Sequence, residues 1–154
     1  MAMKLTPHFT LAELTASSRA RQLGLENTPS AEALQRLQGT AEMLERIRAV
    51  LDAPVIVTSG YRSLAVNRAV GGVSSSDHLT GEAADILAPT FGTPYQVAKT
   101  LAPLVSTLSI GQLILEGVKG KQWVHVSTRR PSSTFNRVIT ITDAGARVGI
   151  QALA

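Results

Sequence analysis

The chain has 154 residues, of which 44 % are apolar and 17 % charged, and its formal net charge is +4. This composition excludes a disordered chain and suits one folded unit, so we predict a single domain over residues 1–154. The absence of cysteine excludes disulfides and thiolate metal sites, which leaves only nitrogen and oxygen ligands for a metal.

The distribution of charge and hydropathy limits the partners. No run of about 20 apolar residues occurs, so we predict no membrane span, and residues 1–8 lack the apolar segment of a signal peptide. The basic residues are scattered and not interleaved with aromatics, which argues against nucleic-acid binding. The positive charge favours an anionic partner such as a bacterial cell wall, and we expect a monomer made in the cytoplasm.

Helix signals dominate the first third of the chain. Thr10 and Glu13 form a capping box that predicts a short helix, and residues 18–29 are polar and predicted to be a loop. Ser30 is a plausible N-cap of a long helix. Its apolar positions recur at helical spacing: Leu34, Leu37, Ala41, Leu44, Ile47 and Leu51. This helix should pack one face against the core.

Short elements alternate through the middle of the chain. The pattern predicts a strand over residues 55–59, a helix over 64–70, a polar loop over 74–77, a strand over 81–87 and a helix from Thr93 to about Leu108 that is broken near Pro103. Mixed helices and strands of this kind indicate an α+β fold.

Two later strands, 112–116 and 123–127, are predicted to form a hairpin, and residues 138–142 a last strand. We therefore expect a small antiparallel sheet with flanking helices. If Glu116 pairs with Trp123, then Glu116 becomes a diagonal neighbour of His125, with Cα atoms roughly 7–8 Å apart. Its carboxylate would then lie near any metal that His125 binds.

Three residues carry the strongest chemical signal: His78, Asp85 and His125. Two imidazoles and one carboxylate are a common ligand set for a catalytic zinc that leaves its fourth position to water. Each residue alone also has an ordinary structural interpretation. His78 fits an exposed loop, Asp85 a strand end, and His125 a half-buried strand position.

The segments 59–63, 76–85 and 123–127 resemble, in the same order, motifs of the zinc D-alanyl-D-alanine carboxypeptidase family. That family belongs with the lysostaphin-type peptidases and the hedgehog signalling domain, and it includes bacteriophage endolysins. The resemblance runs from about Phe9 to Ser127. It implies a hedgehog/DD-peptidase-like fold with one zinc in a cleft.

The resemblance also implies roles for individual residues. Zinc would be held by His78, Asp85 and His125, and substrate oxygens would be contacted by Arg62 and Ser76. A guanidinium can bind a carboxylate in a bidentate manner, although Arg62 could instead form a structural ion pair. Trp123 could form the floor of the cleft, or it could be a packing residue.

The chain departs from the family's pattern at the general base. Many members have an acidic residue three positions before the last histidine ligand, where this chain has Gln122. Glu116 is the first candidate to replace it because of the predicted hairpin register. Asp77 is the second because it adjoins a ligand, and Glu82 is the third.

The function implied is zinc-assisted hydrolysis of peptide bonds in the stem peptides of bacterial peptidoglycan. The enzyme could be a D-alanyl-D-alanine carboxypeptidase or an L-alanyl-D-glutamate endopeptidase, and a phage or prophage endolysin released by a holin or carried in a virion. The alternative, which Gln122 keeps open, is a zinc-containing peptidoglycan-binding or virion structural module without hydrolytic activity. A basic nucleic-acid-binding domain is the third interpretation.

Overall fold

The computed structural model describes residues 3–153. Its helices are α1 (Leu11–Thr15), α2 (Ser18–Leu23), α3 (Ala31–Leu51), α4 (Leu64–Ala69) and α5 (Pro94–Leu101). Its strands are β1 (Lys4–Thr6), β2 (Phe9–Thr10), β3 (Ile56–Ser59), β4 (Ala83–Leu87), β5 (Gln112–Val118), β6 (Lys121–Ser127), β7 (Val138–Thr142) and β8 (Gly145–Val148). Short 3-10 helices cover Asp77–Thr80, Ala102–Leu104 and Thr134–Asn136.

The predicted helix starts are confirmed at three positions. Thr10 and Thr93 each form a capping box, and the Ser30 hydroxyl accepts the backbone N–H of Ala33 at 3.1 Å. These side chains satisfy N–H groups that the first helical turn leaves without partners. Helix α3 buries one face, formed by Ala33, Leu37, Thr40, Ala41, Met43, Leu44, Ile47 and Leu51.

A six-stranded sheet in the order β3-β4-β6-β5-β7-β8 forms the centre of the molecule, and β1 and β2 form a separate pair. The α+β class is confirmed, but the sheet is not wholly antiparallel, because β7 pairs with β5 in parallel. Strand β8, which the sequence pattern did not predict, forms the fully exposed edge beyond β7.

The two faces of the sheet have different compositions. One face belongs to the hydrophobic core and contributes Ala84, Ile86, Leu113, Leu115, Val124 and Val126. The alternate positions along the same strands, among them Asp85, Ile114, Glu116 and His125, line a cleft. One face of the sheet is therefore buried in the hydrophobic core, and the other face is open and can form a functional site.

Several predicted boundaries were wrong. Residues 18–29 do not form only a loop, because Ser17 caps α2 and Gly24, at φ 65°, ends it. The strand predicted over 81–87 begins at Ala83, since residues 77–80 form a 3-10 helix that ends at Gly81 with φ 83°. Both segments are polar or short, so their apolar spacing gave no signal.

The later elements also differ from their predicted limits. Helix α5 ends at Leu101 instead of near Leu108, and a 3-10 turn that contains Pro103 follows it. The β5–β6 hairpin is longer than predicted and closes through Lys119 and Gly120, both at positive φ, as in the tight turns that match strand twist. Among the described residues, no helix has the length and apolar character needed to cross a membrane.

Candidate metal centre

Three buried side chains from separate segments meet on the open face of the sheet. Asp85 and His125 are direct partners across β4 and β6, and His78 lies in the 3-10 helix that precedes β4. Oδ1 of Asp85 lies 3.2 Å from Nε2 of His78 and 3.0 Å from Nδ1 of His125. The exposed fraction is only 2 % for His78, 9 % for Asp85 and 8 % for His125. The fold thus brings the predicted ligand set together.

A backbone carbonyl fixes the proton position on His78. Nδ1 of His78 lies 2.7 Å from the carbonyl oxygen of Gly60. Because a carbonyl only accepts hydrogen bonds, Nδ1 carries a proton, and Nε2 is the ring nitrogen that faces Asp85. An outer hydrogen bond of this kind orients most metal-binding imidazoles.

The electrostatics of the cluster favour an ionised carboxylate. Burial alone would raise the pKa of Asp85, but hydrogen bonds from His125 and His78 and their charges hold that pKa well below its ordinary value. Burial likewise works against protonation of His125, yet the hydrogen bond and charge of Asp85 raise its pKa. The cluster therefore favours a positive charge next to the ionised carboxylate of Asp85.

The donor set fits one zinc ion. A tetrahedral zinc with ligand distances of about 2.0–2.1 Å separates its ligand atoms by about 3.3 Å. The two nitrogen–oxygen distances are close to this value, and one ligand atom from each of the three residues lies within 4.8 Å of the others. Three protein ligands would leave one position of a four-coordinate zinc for water, as in catalytic zinc sites.

The cluster opens into a cleft of about 750 Å³. Its floor is the open face of β5 and β6, where the observed register pairs Ile114 with His125 and Glu116 with Trp123. Residues 70–77 form one wall, and residues 129–132 follow β6 at one end. The predicted pairing of Glu116 with Trp123 is confirmed, and with it the diagonal position of Glu116 relative to His125.

Arg62 reaches into this cleft from the segment after β3. Its Nη1 donates to Oδ1 of Asn67 at 3.2 Å, and its Nη2 lies 4.0 Å from Oδ2 of Asp85. Burial lowers the pKa of Arg62, while the charges of Asp85 and Glu116 oppose that change. The guanidinium is thus held beside the metal ligands by Asn67, a residue that the sequence pattern did not single out.

Glu116 lines the cleft on the same face of the sheet as His125. Burial and the charge of Asp85 raise the pKa of Glu116, and the charges of His125 and Arg62 only partly offset this. A carboxyl group with a raised pKa is a better proton acceptor than an ordinary carboxylate, which suits a general base.

Gln122 lies on the other face of its strand. It pairs with Gly117, shares the parity of the core-facing Val124 and Val126, and does not line the cleft. Side chains three positions apart on a continuous strand point to opposite faces. An acid at this position would therefore not reach the ligands in this chain, whereas Glu116 does lie on their face.

The other predicted base candidates are engaged elsewhere. Oδ2 of Asp77 accepts the hydroxyl of Ser127 at 2.8 Å, and its Oδ1 lies 3.5 Å from Nη1 of Arg129. The carboxylate of Glu82 accepts the Thr80 hydroxyl at 2.6 Å, and Glu82 does not line the cleft. Of the three carboxylates considered, Glu116 is best placed.

Ser76 and Trp123 both line the cleft, as predicted for substrate contacts. The Ser76 hydroxyl accepts the backbone N–H of His78 at 3.2 Å, so it also fixes the start of the 3-10 helix that carries this ligand. The indole nitrogen of Trp123 is buried and has no hydrogen-bond partner among residues 3–153. The network of Asp77, Ser127 and Arg129 was missed, because no motif connects these residues.

Replacement of Gly60 by alanine tests whether the Gly60 carbonyl orients the His78 ring. A Cβ at Gly60 would overlap the backbone oxygen of Leu14, which cannot move aside easily because it accepts the N–H of Tyr61 at 2.7 Å. We expect Gly60→Ala to destabilise the fold by about 1–3 kcal/mol and to weaken zinc binding by about 10–100-fold, since the Gly60 carbonyl shifts.

Denaturant unfolding and zinc competition with a chelator measure the two effects of Gly60→Ala. Gly39→Ala in α3 is the matched control, because a Cβ there meets no atom within 4 Å and alanine favours helix. Unchanged stability and zinc affinity in Gly60→Ala would contradict the close packing described here.

A comparison with protein families finds one match that covers most of the chain. The family model described as Peptidase M15 matches residues 7–127, which include every residue of the candidate metal centre. No curated protein matches the chain.

Proposed function

The chain belongs to the M15 peptidase family, of the zinc D-alanyl-D-alanine carboxypeptidase type, and we propose that it is a zinc-dependent hydrolase of the stem peptides of bacterial peptidoglycan. The observation that carries this proposal is the buried cluster of His78, Asp85 and His125 at the bottom of an open cleft. The single peptidase domain would extend over residues 1–154.

The three clustered residues would hold one zinc ion. When bound, zinc supplies a Lewis acid that polarises the scissile carbonyl and lowers the pKa of water toward about 7. Nε2 of His78 and Nδ1 of His125 both face Oδ1 of Asp85, and these atoms would be the ligands. The Gly60 carbonyl keeps the His78 ring in the orientation that this requires.

Glu116 performs the proton transfers in this proposal. Its carboxylate accepts a proton from the attacking water and returns it to the leaving amine nitrogen. The support is its position opposite Trp123, on the face of His125, together with a pKa that burial raises. Arg62 and Ser76 would orient the substrate through its carboxylate or carbonyl oxygens.

Arg62 offers a direct test of substrate positioning. Lysine keeps the charge at this position but loses the fork that binds two oxygens and the hydrogen bond to Asn67. We expect Arg62→Lys to lower kcat/KM by about 10-fold or more while zinc content stays unchanged. Steady-state kinetics and elemental analysis measure both, and normal kcat/KM in the variant would remove Arg62 from the substrate site.

The biological setting is also part of the proposal. The net charge of +4 suits an anionic wall polymer, and a role as a phage or prophage endolysin, released by a holin or carried in a virion, is consistent with it. The non-hydrolytic alternative depended on Gln122. Because Gln122 lies outside the cleft, no observation favours that alternative over hydrolysis.

Digestion of purified peptidoglycan followed by mass spectrometry of the muropeptides tests the proposal. We expect new amino and carboxyl termini that appear only with zinc-loaded protein. Loss of terminal D-alanine alone would identify a carboxypeptidase, and internal cuts an endopeptidase. Zinc-loaded protein that binds peptidoglycan and produces no new termini would refute hydrolysis.

A further inference from the structure

The segment of residues 129–132, here called the arginine segment, is held firmly at one end of the cleft. The backbone N–H of Thr128, just before it, donates to the Glu82 carbonyl at 2.9 Å. Gly111 packs so closely that an added Cβ would lie 2.5 Å from the Thr128 carbonyl oxygen. These backbone contacts fix the position of the main chain from which the side chains of Arg129 and Arg130 extend.

A polar network links the arginine segment to the metal ligands. The hydroxyl of Ser127 donates to Asp77 at 2.8 Å and accepts the backbone N–H of Arg129 at 3.1 Å. Nη1 of Arg129 lies 3.5 Å from Oδ1 of Asp77, the residue directly before His78. Asp77 thus holds Arg129 in place from the neighbouring wall.

The end of the cleft beside the arginine segment carries an excess of positive charge. Asp85 belongs to the metal cluster, with Arg62 beside it, and Asp77 faces Arg129. Arg130 lines the same cleft and has no ion-pair partner among residues 3–153. It also borders a second cavity of about 310 Å³ that Arg137 lines. An anionic group would therefore be favoured at this end.

The cleft extends on both sides of the metal cluster. Its floor follows β5 from Gln112 to Val118, a length of about 20 Å, which can accommodate about six residues of extended peptide. His125 pairs with Ile114 near the middle, and Ser127 pairs with Gln112 at the end beside the arginine segment. Two strand residues correspond to about 7 Å, so this end lies about two peptide residues from the metal cluster.

We propose that Arg129 and Arg130 form a subsite for a substrate carboxylate about two residues from the scissile bond, so that the protein cleaves within an acidic peptide. This inference rests on the proposed function and narrows its substrate class. Asp77 is a positioning residue that acts through Arg129. The opposite end of the cleft, lined by Val118, Trp123 and Ile141, would receive the less polar part of the peptide.

Two synthetic stem peptides that differ only in a free or amidated side carboxylate test the subsite. Binding to the zinc-loaded protein is followed through the fluorescence of Trp123, the single tryptophan of the chain, and cleavage through kcat/KM. We expect the wild type to bind and cleave the free-carboxylate peptide about 10-fold better. Arg130→Gln should remove this preference, so that the variant treats the two peptides alike.

Matched variants separate a specific contact from a general charge effect. Arg147→Gln makes the same charge change on the exposed strand β8, outside the cleft, and should keep the preference. Asp77→Asn retains an acceptor for Ser127 but loses the charge opposite Arg129. It should raise KM for the free-carboxylate peptide more than KM for the amidated one.

Equal binding of the two peptides by the wild type would overturn the subsite, as would equal losses in Arg130→Gln and Arg147→Gln. The outcome also separates the subsite from the proposed function. If the wild type prefers the free carboxylate in binding but cleaves neither peptide, the subsite stands and the hydrolytic function fails.

Discussion

Replacing His125 with alanine should leave a folded protein that no longer retains zinc. In the proposed zinc site His125 would supply one of three ligand atoms, and its Nδ1 lies 3.0 Å from Oδ1 of Asp85. Changes to outer hydrogen-bonding partners already cost about 10–100-fold in metal affinity, so loss of a ligand should cost at least about 100-fold. His78→Ala and Asp85→Ala should behave in the same way.

Elemental analysis after gel filtration measures this loss, with one zinc per chain expected in the wild type. His8→Ala is the matched control, because His8 is the third histidine of the chain and contacts Glu45 away from the cluster. Full zinc occupancy in all three ligand variants would show that the metal lies elsewhere.

Replacing Glu116 with glutamine should reduce kcat by roughly 10²–10⁴-fold, the usual scale for loss of a general base. Glutamine keeps the size and polarity of the side chain but cannot accept the proton. Glu116 is not one of the three clustered residues, so zinc content and the unfolding transition should stay close to those of the wild type. Turnover of a defined peptide, measured beside zinc content, checks both expectations.

Two further variants serve as controls for Glu116→Gln. Gln122→Ala should change kcat little, because Gln122 does not line the cleft. Asp77→Asn should also retain kcat, since Asp77 is engaged by Ser127 and Arg129. Wild-type turnover in Glu116→Gln combined with loss of turnover in Asp77→Asn would identify Asp77 as the base.

Local signals explain what the sequence could predict. The caps at Thr10, Ser30 and Thr93 are set by contacts within one helical turn, so they are visible in a few residues. The face that His125 shares with Trp123 could be inferred because these residues alternate with two buried valines, whereas the pairing of Glu116 with Trp123 was only one possible register. Alternation fixes which side chains share a face, and that face contains the candidate site.

Long-range contacts explain what the sequence did not predict. The parallel pairing of β7 with β5 depends on how residues 128–137 cross the molecule, which no local pattern records. Helix α2 has only one buried residue, Ala20, so its apolar spacing is weak. The contact between Asp77 and Arg129 joins the 3-10 helix before β4 to the segment after β6, and scattered arginines carry no periodic signal.

The most direct measurement is peptidoglycan hydrolysis by protein from which zinc has been removed with a chelator and then restored in one equivalent. We expect no new termini from the zinc-free protein, recovery of cleavage with one zinc per chain, and no recovery in His125→Ala. Cleavage by the zinc-free protein, or no cleavage by fully loaded wild type, would contradict a zinc peptidase centred on His78, Asp85 and His125.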